Sequence, residues 1–184
     1  MVGRKKQLPI FGVGPLYVGG CFLVTALGLL LKSKGLLRSG DLRRGKRLLR
    51  LSGGGLALSS VGLWVAAVIG QQLSQAIRDN RLLTTGPYAL VRNPIYTAFA
   101  GLLTGILLMV GNAWLLLCPF IFWAYLTVLM IFTEERWLRE KFGQDYMAYC
   151  RRVNRFIPII KLTRGKRQKK VKKIIKKLKL AVDN

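Results

Sequence analysis

The chain has 184 residues, enough for one ordinary domain, but its composition excludes an ordinary soluble one. Apolar residues make up 52%, mean hydropathy is +0.33, and Lys plus Arg outnumber Asp plus Glu by 31 to 7. Such hydrophobicity and basicity coexist because they are segregated along the chain, the pattern of an integral membrane protein with basic loops and a basic tail.

In chain order, MVGRKKQ precedes a first uncharged run, Leu8 to Leu31. Val-Gly-Gly-Cys at 18–21 resembles a lipoprotein cleavage site, but the run continues ten residues past Cys21, which suits a retained span better than a cleaved leader. A basic loop, KSKGLLRSGDLRRGKRLLR, leads to a second run, Leu51 to Gly70, which opens with the small-residue stretch LSGGGLALSS. A polar segment, 71–93, precedes a third run, Pro94 to Gly111, and a fourth, Ala113 to Phe132, follows at once. A helix needs about 20 apolar residues to cross the hydrocarbon core, so all four qualify, the third only just. The expected fold class is all-α: a polytopic membrane protein of about four transmembrane helices, with a C-terminal helical hairpin and a cytosolic cap. The domain-like unit is 1–160, followed by a basic tail, 161–184.

The three cysteines, Cys21, Cys118 and Cys150, show no metal-ligand spacing, and histidine is absent from the sequence. No metal site and no disulfide framework is expected.

Only Gly111-Asn112, a turn pair, separates the third and fourth runs, which therefore fold into a tight antiparallel hairpin. Counting back from the turn at 1.5 Å per residue, Asn93-Pro94 and Phe132-Thr133 both lie roughly 27–30 Å away. Arg92, Tyr96, Glu134 and Glu135 are thus expected to meet at one interface. Four spans put both termini and the 71–93 loop on one side, with 23 Lys and Arg against 8 on the other. That assigns both termini to the cytosol and leaves the basic 32–50 loop outside, against the charge rule. Gly101-Leu-Leu-Thr-Gly105 has GxxxG spacing, which packing within the chain explains.

Locally, Arg92-Asn93-Pro94 reads as an interfacial anchor, an N-cap and a first helical proline, and Tyr88 and Tyr96 as interfacial aromatics. Glu135 can pair with Arg139 at i,i+4. Jointly, adjacent carboxylates where a span leaves the membrane require solvation or a cationic partner, and the hairpin supplies Arg92. Carboxylates accept from ribose hydroxyls or an ammonium, and arginine forks onto a carboxylate. S-adenosylmethionine, an amino acid–nucleoside conjugate whose sulfonium favours aromatic faces, uses all of these functions.

The segments LLTTGPYALVRNPIY (82–96) and EERWLREKFGQDYMAYCRRVNRFIP (134–158), in that order around a hairpin, resemble the isoprenylcysteine carboxyl methyltransferase and phospholipid methyltransferase superfamily of integral membrane enzymes. The resemblance is strong over the C-terminal half and weak over the first two helices. It implies S-adenosylmethionine as cofactor, bound by Gly86, Tyr88, Arg92, Asn93, Pro94, Tyr96, Glu134, Glu135, Tyr146 and Tyr149. Arg92, Glu134 and Glu135 are the implied catalytic residues, and Arg155 belongs to the same cap. Many members carry histidine where this chain has Asn93; asparagine keeps a hydrogen bond but cannot titrate near neutral pH. Transfer to a carboxylate needs no base, whereas an amine must lose a proton, with Glu134 or Glu135 as candidate acceptors.

Past Pro158, Val171, Ile174, Ile175 and Leu178 keep helical spacing among lysines, which suits a helix lying on anionic lipid. The expected activity is methyl transfer to a lipophilic acceptor, small or lipidated, isoprenylcysteine-like or phospholipid-like, at the cytosolic face. The other readings are a reductase of related architecture using NADPH and a non-catalytic scaffold. No nucleic-acid partner is expected.

Overall fold

The computed structural model describes residues 12–42, 45–70 and 73–158. The basic tail and the N-terminal leader lie outside the described residues. Helices dominate: α1 (Gly14–Ser33), α2 (Lys46–Val68), α3 (Leu73–Arg78), α4 (Pro87–Leu90), α5 (Pro94–Val110), α6 (Cys118–Phe132) and α7 (Glu134–Arg152). Among the described residues there is no strand, only two isolated bridges. Three helical stretches, Gly14–Ser33, Lys46–Val68 and Trp114–Phe132, are long and apolar enough to cross a membrane. α5 is equally apolar but has 17 residues, roughly 26 Å at helical rise, slightly less than a hydrocarbon core.

Prolines set the helix starts. Pro15, Pro87, Pro94 and Pro119 stand at the first or second position of α1, α4, α5 and α6, where a missing N–H leaves nothing unpaired. Pro119 also accounts for the short 3₁₀ turn Trp114–Leu117 before α6, because it has no amide to bond back to Leu115.

α5 packs most broadly on α2 rather than on its hairpin partner α6. Small residues permit that approach. A Cβ at Gly53 would lie 2.5 Å from the Gly105 carbonyl oxygen, and one at Gly105 would lie 2.6 Å from that of Gly53. Gly101 meets Ser60 in the same seam. The GxxxG spacing and the glycine-rich start of α2 therefore serve one another inside the chain. On α5's other side Tyr17, Cys21, Leu103, Leu107, Phe122, Leu126 and Met130 form a buried core with α1 and α6. Outward-facing Leu23, Leu58, Phe120, Trp123 and Phe132 remain exposed, as lipid-facing side chains do.

The bundle has two differently built ends. At one, the Leu42 amide donates to the Gly111 carbonyl (2.9 Å) and the Ala113 amide to that of Gly40 (2.7 Å). Buried Asn112 donates to the Leu37 carbonyl (2.7 Å) and to Asp41 Oδ1 (3.0 Å), and its own Oδ1 accepts from the Trp114 amide. This latch holds the α1–α2 loop on the α5–α6 turn. The other end gathers residues 12–13, 81–96 and 133–158.

Candidate functional site

Two backbone features create that second end. The chain breaks at Thr133 (φ −128°, ψ −88°), whose hydroxyl donates to the Leu129 carbonyl, so α7 leaves α6 at an angle with Glu134 and Glu135 in its first turn. Inside α7, Gly143 is left-handed (φ 50°, ψ −121°) with open space around its missing Cβ, so its backbone conformation, not crowding, requires glycine. The kink carries Tyr146 and Tyr149 over the loop before α5. After α7, the Arg92 amide donates to the Asn154 carbonyl (2.8 Å) and the Asn93 amide to that of Arg155 (3.3 Å), so the closing segment pairs with the start of α5.

These segments enclose a cavity of about 480 Å³. Its polar lining includes Tyr88, Arg92, Asn93, Tyr96, Glu134, Tyr146 and Tyr149, with Pro94 beside them. Its other wall is apolar: Leu73, Ile77, Leu82, Phe99 and Phe142 among others. Gly86 and Glu135, both read from the sequence as cofactor-binding, stand behind the lining. Gly86 (φ 58°) turns the chain into α4 and so presents Tyr88. Glu135 is 1% exposed and is held by cations. Arg155 grips it with Nε to Oε1 (2.5 Å) and Nη2 to Oε2 (2.9 Å), Arg92 Nη2 lies 3.1 Å from Oε1, and Arg139 lies 3.9 Å from Oε2.

Arg92 is the most connected wall residue. It also donates to the Tyr146 hydroxyl (3.3 Å) and to Cys150 Sγ, and its guanidinium sits 5.9 Å from the Tyr146 ring centre. Its Nε is buried with no acceptor among the described residues. Tyr149 donates to the Tyr88 carbonyl (2.6 Å), and Tyr96 to Glu134 Oε1 (2.6 Å). Asn93 departs from the local expectation. It precedes α5 and its carbonyl accepts from the Thr97 amide, but its side chain makes no cap and instead donates to the Arg155 carbonyl (3.4 Å). The closing segment competes for it through the Arg155 carbonyl.

The adjacent acids differ electrostatically. Burial raises Glu134 above the ordinary glutamate range, and the Tyr96 hydroxyl and Val13 amide offset this only in part. Burial would raise Glu135 too, but the Arg155 hydrogen bonds and the charges of Arg92, Arg155 and Arg139 outweigh it and hold it below that range. The phenols of Tyr88, Tyr146 and Tyr149 are raised by burial and remain neutral donors.

Local sequence patterns did not single out Gly12, Val13 and Cys150. Val13 reaches Glu134 across 121 residues with Gly12 packed beside it, and the only hint was the Gly-Val-Gly-Pro that leads into α1.

Fold and cavity together define an all-α polytopic membrane protein with one amphipathic pocket at an end of its helix bundle. A family model described as phospholipid methyltransferase matches residues 49–145, and the chain belongs to that family. It is 32% identical over 119 residues to the cobalt-zinc-cadmium resistance protein CzcN of Cupriavidus metallidurans, covering 64% of this chain and 52% of that protein. It is 34% identical over 97 residues to the protein-S-isoprenylcysteine O-methyltransferase of Schizosaccharomyces pombe, covering 50% of this chain and 41% of that protein. The chain thus spans about half the length of the curated relatives it matches. No solved structure matches it.

Proposed function

We propose that this chain is an S-adenosylmethionine-dependent methyltransferase acting on a lipophilic acceptor at the cytosolic membrane interface, with both termini in the cytosol. The observation that carries the reading is the two-faced cavity, lined largely by the family's matched region, polar where the two motif segments meet and apolar opposite. Its volume falls in the usual range for small-molecule sites, roughly 300–1,000 Å³. The donor set suits the cofactor: four tyrosines offer faces to a sulfonium and adenine, and Glu134 offers an acceptor. Arg92 Nε is a buried donor that a bound oxygen would satisfy.

When bound, S-adenosylmethionine supplies an electrophilic methyl group. The chain's own residues do the rest. Glu135, Arg155 and Arg92 hold α7 to the start of α5 and so fix the polar wall. Tyr146 and Tyr149 cover it and exclude water, which strengthens every charge interaction inside. The apolar wall receives the acceptor's hydrocarbon part.

Titration of the purified full chain with S-adenosylhomocysteine, and separately with NADPH, tests the cofactor. Binding of S-adenosylhomocysteine alone is expected; NADPH alone would favour a reductase, and binding of neither a scaffold. Incubation with labelled S-adenosylmethionine and membrane extract then identifies the acceptor by its label.

A further inference from the structure

Glu134 and Glu135 are neighbours in sequence with opposite surroundings. Every Glu135 oxygen faces arginine. Glu134 has no cation within 4 Å among the described residues. Its Oε1 accepts from the Tyr96 hydroxyl (2.6 Å) and the Val13 amide (2.9 Å), two neutral donors. Both converge on Oε1, and Glu134 itself lines the cavity. The backbone ahead of α1 is built around that oxygen: Gly12 is left-handed (φ 50°), and a Cβ there would collide with Glu134 Oε1.

We infer that Glu134, through Oε2, is the proton acceptor that readies the methyl acceptor, with Tyr96, Val13 and Gly12 as its positioning residues. The inference rests on the methyltransferase reading above. It names the acceptor's chemistry: a nucleophile that arrives protonated, an ammonium in the first instance. One N–H bond breaks and its proton forms an O–H bond on Oε2, while the electron pair stays on nitrogen. That pair forms the bond to the incoming methyl group as the pair of the broken carbon–sulfur bond remains on sulfur, and Glu134 later returns its proton to water.

Three considerations favour Glu134 over its neighbour. Protonating Glu135 would leave Arg92 and Arg155 without a counter-charge, whereas protonating Glu134 strands no cation. A base works best when its proton affinity approaches that of the operating pH, the direction in which burial moves Glu134. An anionic acceptor would meet Glu134's own charge, while Arg92 and Arg155, which would receive it, are taken by Glu135. The groups facing Glu134 are Tyr96 on α5, Tyr88 on α4, the Val13 amide and, on its own helix, Glu135. Tyr88 feels the Glu134 charge, which adds to burial in raising its phenol.

The test uses the full chain with two probes, vesicles containing phosphatidylethanolamine as the ammonium and a farnesylcysteine carboxylate as the base-independent acceptor. Wild type should methylate the ammonium probe. Glu134→Gln should lower that rate about 100-fold or more at pH 7, the usual worth of a general base. Its deficit should shrink roughly tenfold per pH unit as solvent supplies free amine. Tyr96→Phe should keep transfer but move its acid limb to higher pH, because a donor that lowers the Glu134 pKa is gone. Without any cofactor, infrared titration should show a protonated carboxyl band persisting above the ordinary glutamate range and missing in Glu134→Gln. A deficit equal at every pH, transfer confined to the carboxylate probe or absent with both, or an unchanged infrared band overturns the assignment. Wild type that binds no S-adenosylhomocysteine instead rejects the methyltransferase reading itself.

Discussion

Replacing Glu135 by glutamine keeps the side chain's shape and removes its charge. The two inner partners lose their counter-ion together: the Arg92 side chain is 9% exposed and that of Arg155 25%. Arg139, at 56%, is well solvated and adds little. Breaking a buried ionic network from one side costs roughly 3–5 kcal/mol, and the partial exposure of Arg155 points to the lower end, about 3 kcal/mol. At about 2–4 °C per kcal/mol for a chain of this length, the melting temperature should fall by roughly 6–12 °C. Thermal unfolding of the solubilised protein at pH 7 measures this directly. Adding Arg155→Gln to Glu135→Gln should lower stability by less than the sum of the two single changes, since they share one interaction. Glu134→Gln, which strands no cation, should melt within about 2 °C of wild type by the same reasoning. If Glu135→Gln melts like wild type and yet loses S-adenosylhomocysteine binding tenfold, the residue contacts ligand directly and the buttress argument is refuted. Acid adds a further check. Glu135, held below the ordinary 4.5, contributes stability that is fully present above pH 4.5 and is lost as pH falls through its folded value. Glu134, raised above 4.5, acts oppositely: its contribution is present below pH 4.5 and is lost as pH rises through its folded value, a slope that Glu134→Gln should abolish.

Three further outcomes are expected. Gly143→Ala should cost about 1–2 kcal/mol from its left-handed backbone alone, since no neighbour obstructs the methyl group, and should weaken S-adenosylhomocysteine binding by displacing Tyr146 and Tyr149. Gly53→Val should separate α2 from α5 and lower the yield of folded protein in detergent far more than Gly54→Val, because only Gly53 faces the Gly105 carbonyl. Removing residues 161–184 should leave S-adenosylhomocysteine binding within about twofold while weakening association with anionic vesicles, measured by flotation at low and high salt.

Composition and run length made the spans legible because a lipid-facing helix has to be apolar all round over a fixed length. The third run was read as 94–111 and is Pro94–Val110; the fourth, read as 113–132, is a helical stretch Trp114–Phe132. α2 begins five residues before its apolar run, since Lys46, Arg47 and Arg50 extend the helix without belonging to its hydrocarbon part. The Gly111-Asn112 turn was legible as a turn, but the grip of Asn112 on the distant α1–α2 loop was not, because nothing in a local pattern reports a partner 71 residues away. The break at Thr133 carries no proline or glycine to announce it. Spacing brought Arg92 toward the acids; it could not say which acid would take the arginines. That choice rests on Arg155, beyond the kink at Gly143, and on Gly12 and Val13 at the other end of the described chain.

The backbone pairing of Arg92 and Asn93 with Asn154 and Arg155 also sets an order of events during synthesis. Chains emerge N-terminus first, so α5 can enter the membrane while its closing segment has yet to be made. Until residue 155 arrives, Glu135 lacks its bidentate partner and the amides of Arg92 and Asn93 lack their acceptors. A nascent chain stalled just after α7 would therefore hold all its hydrophobic spans and still be recognisably unfinished. Arg92, Asn93, Asn154 and Arg155 thus close this end of the bundle only after every span has been made.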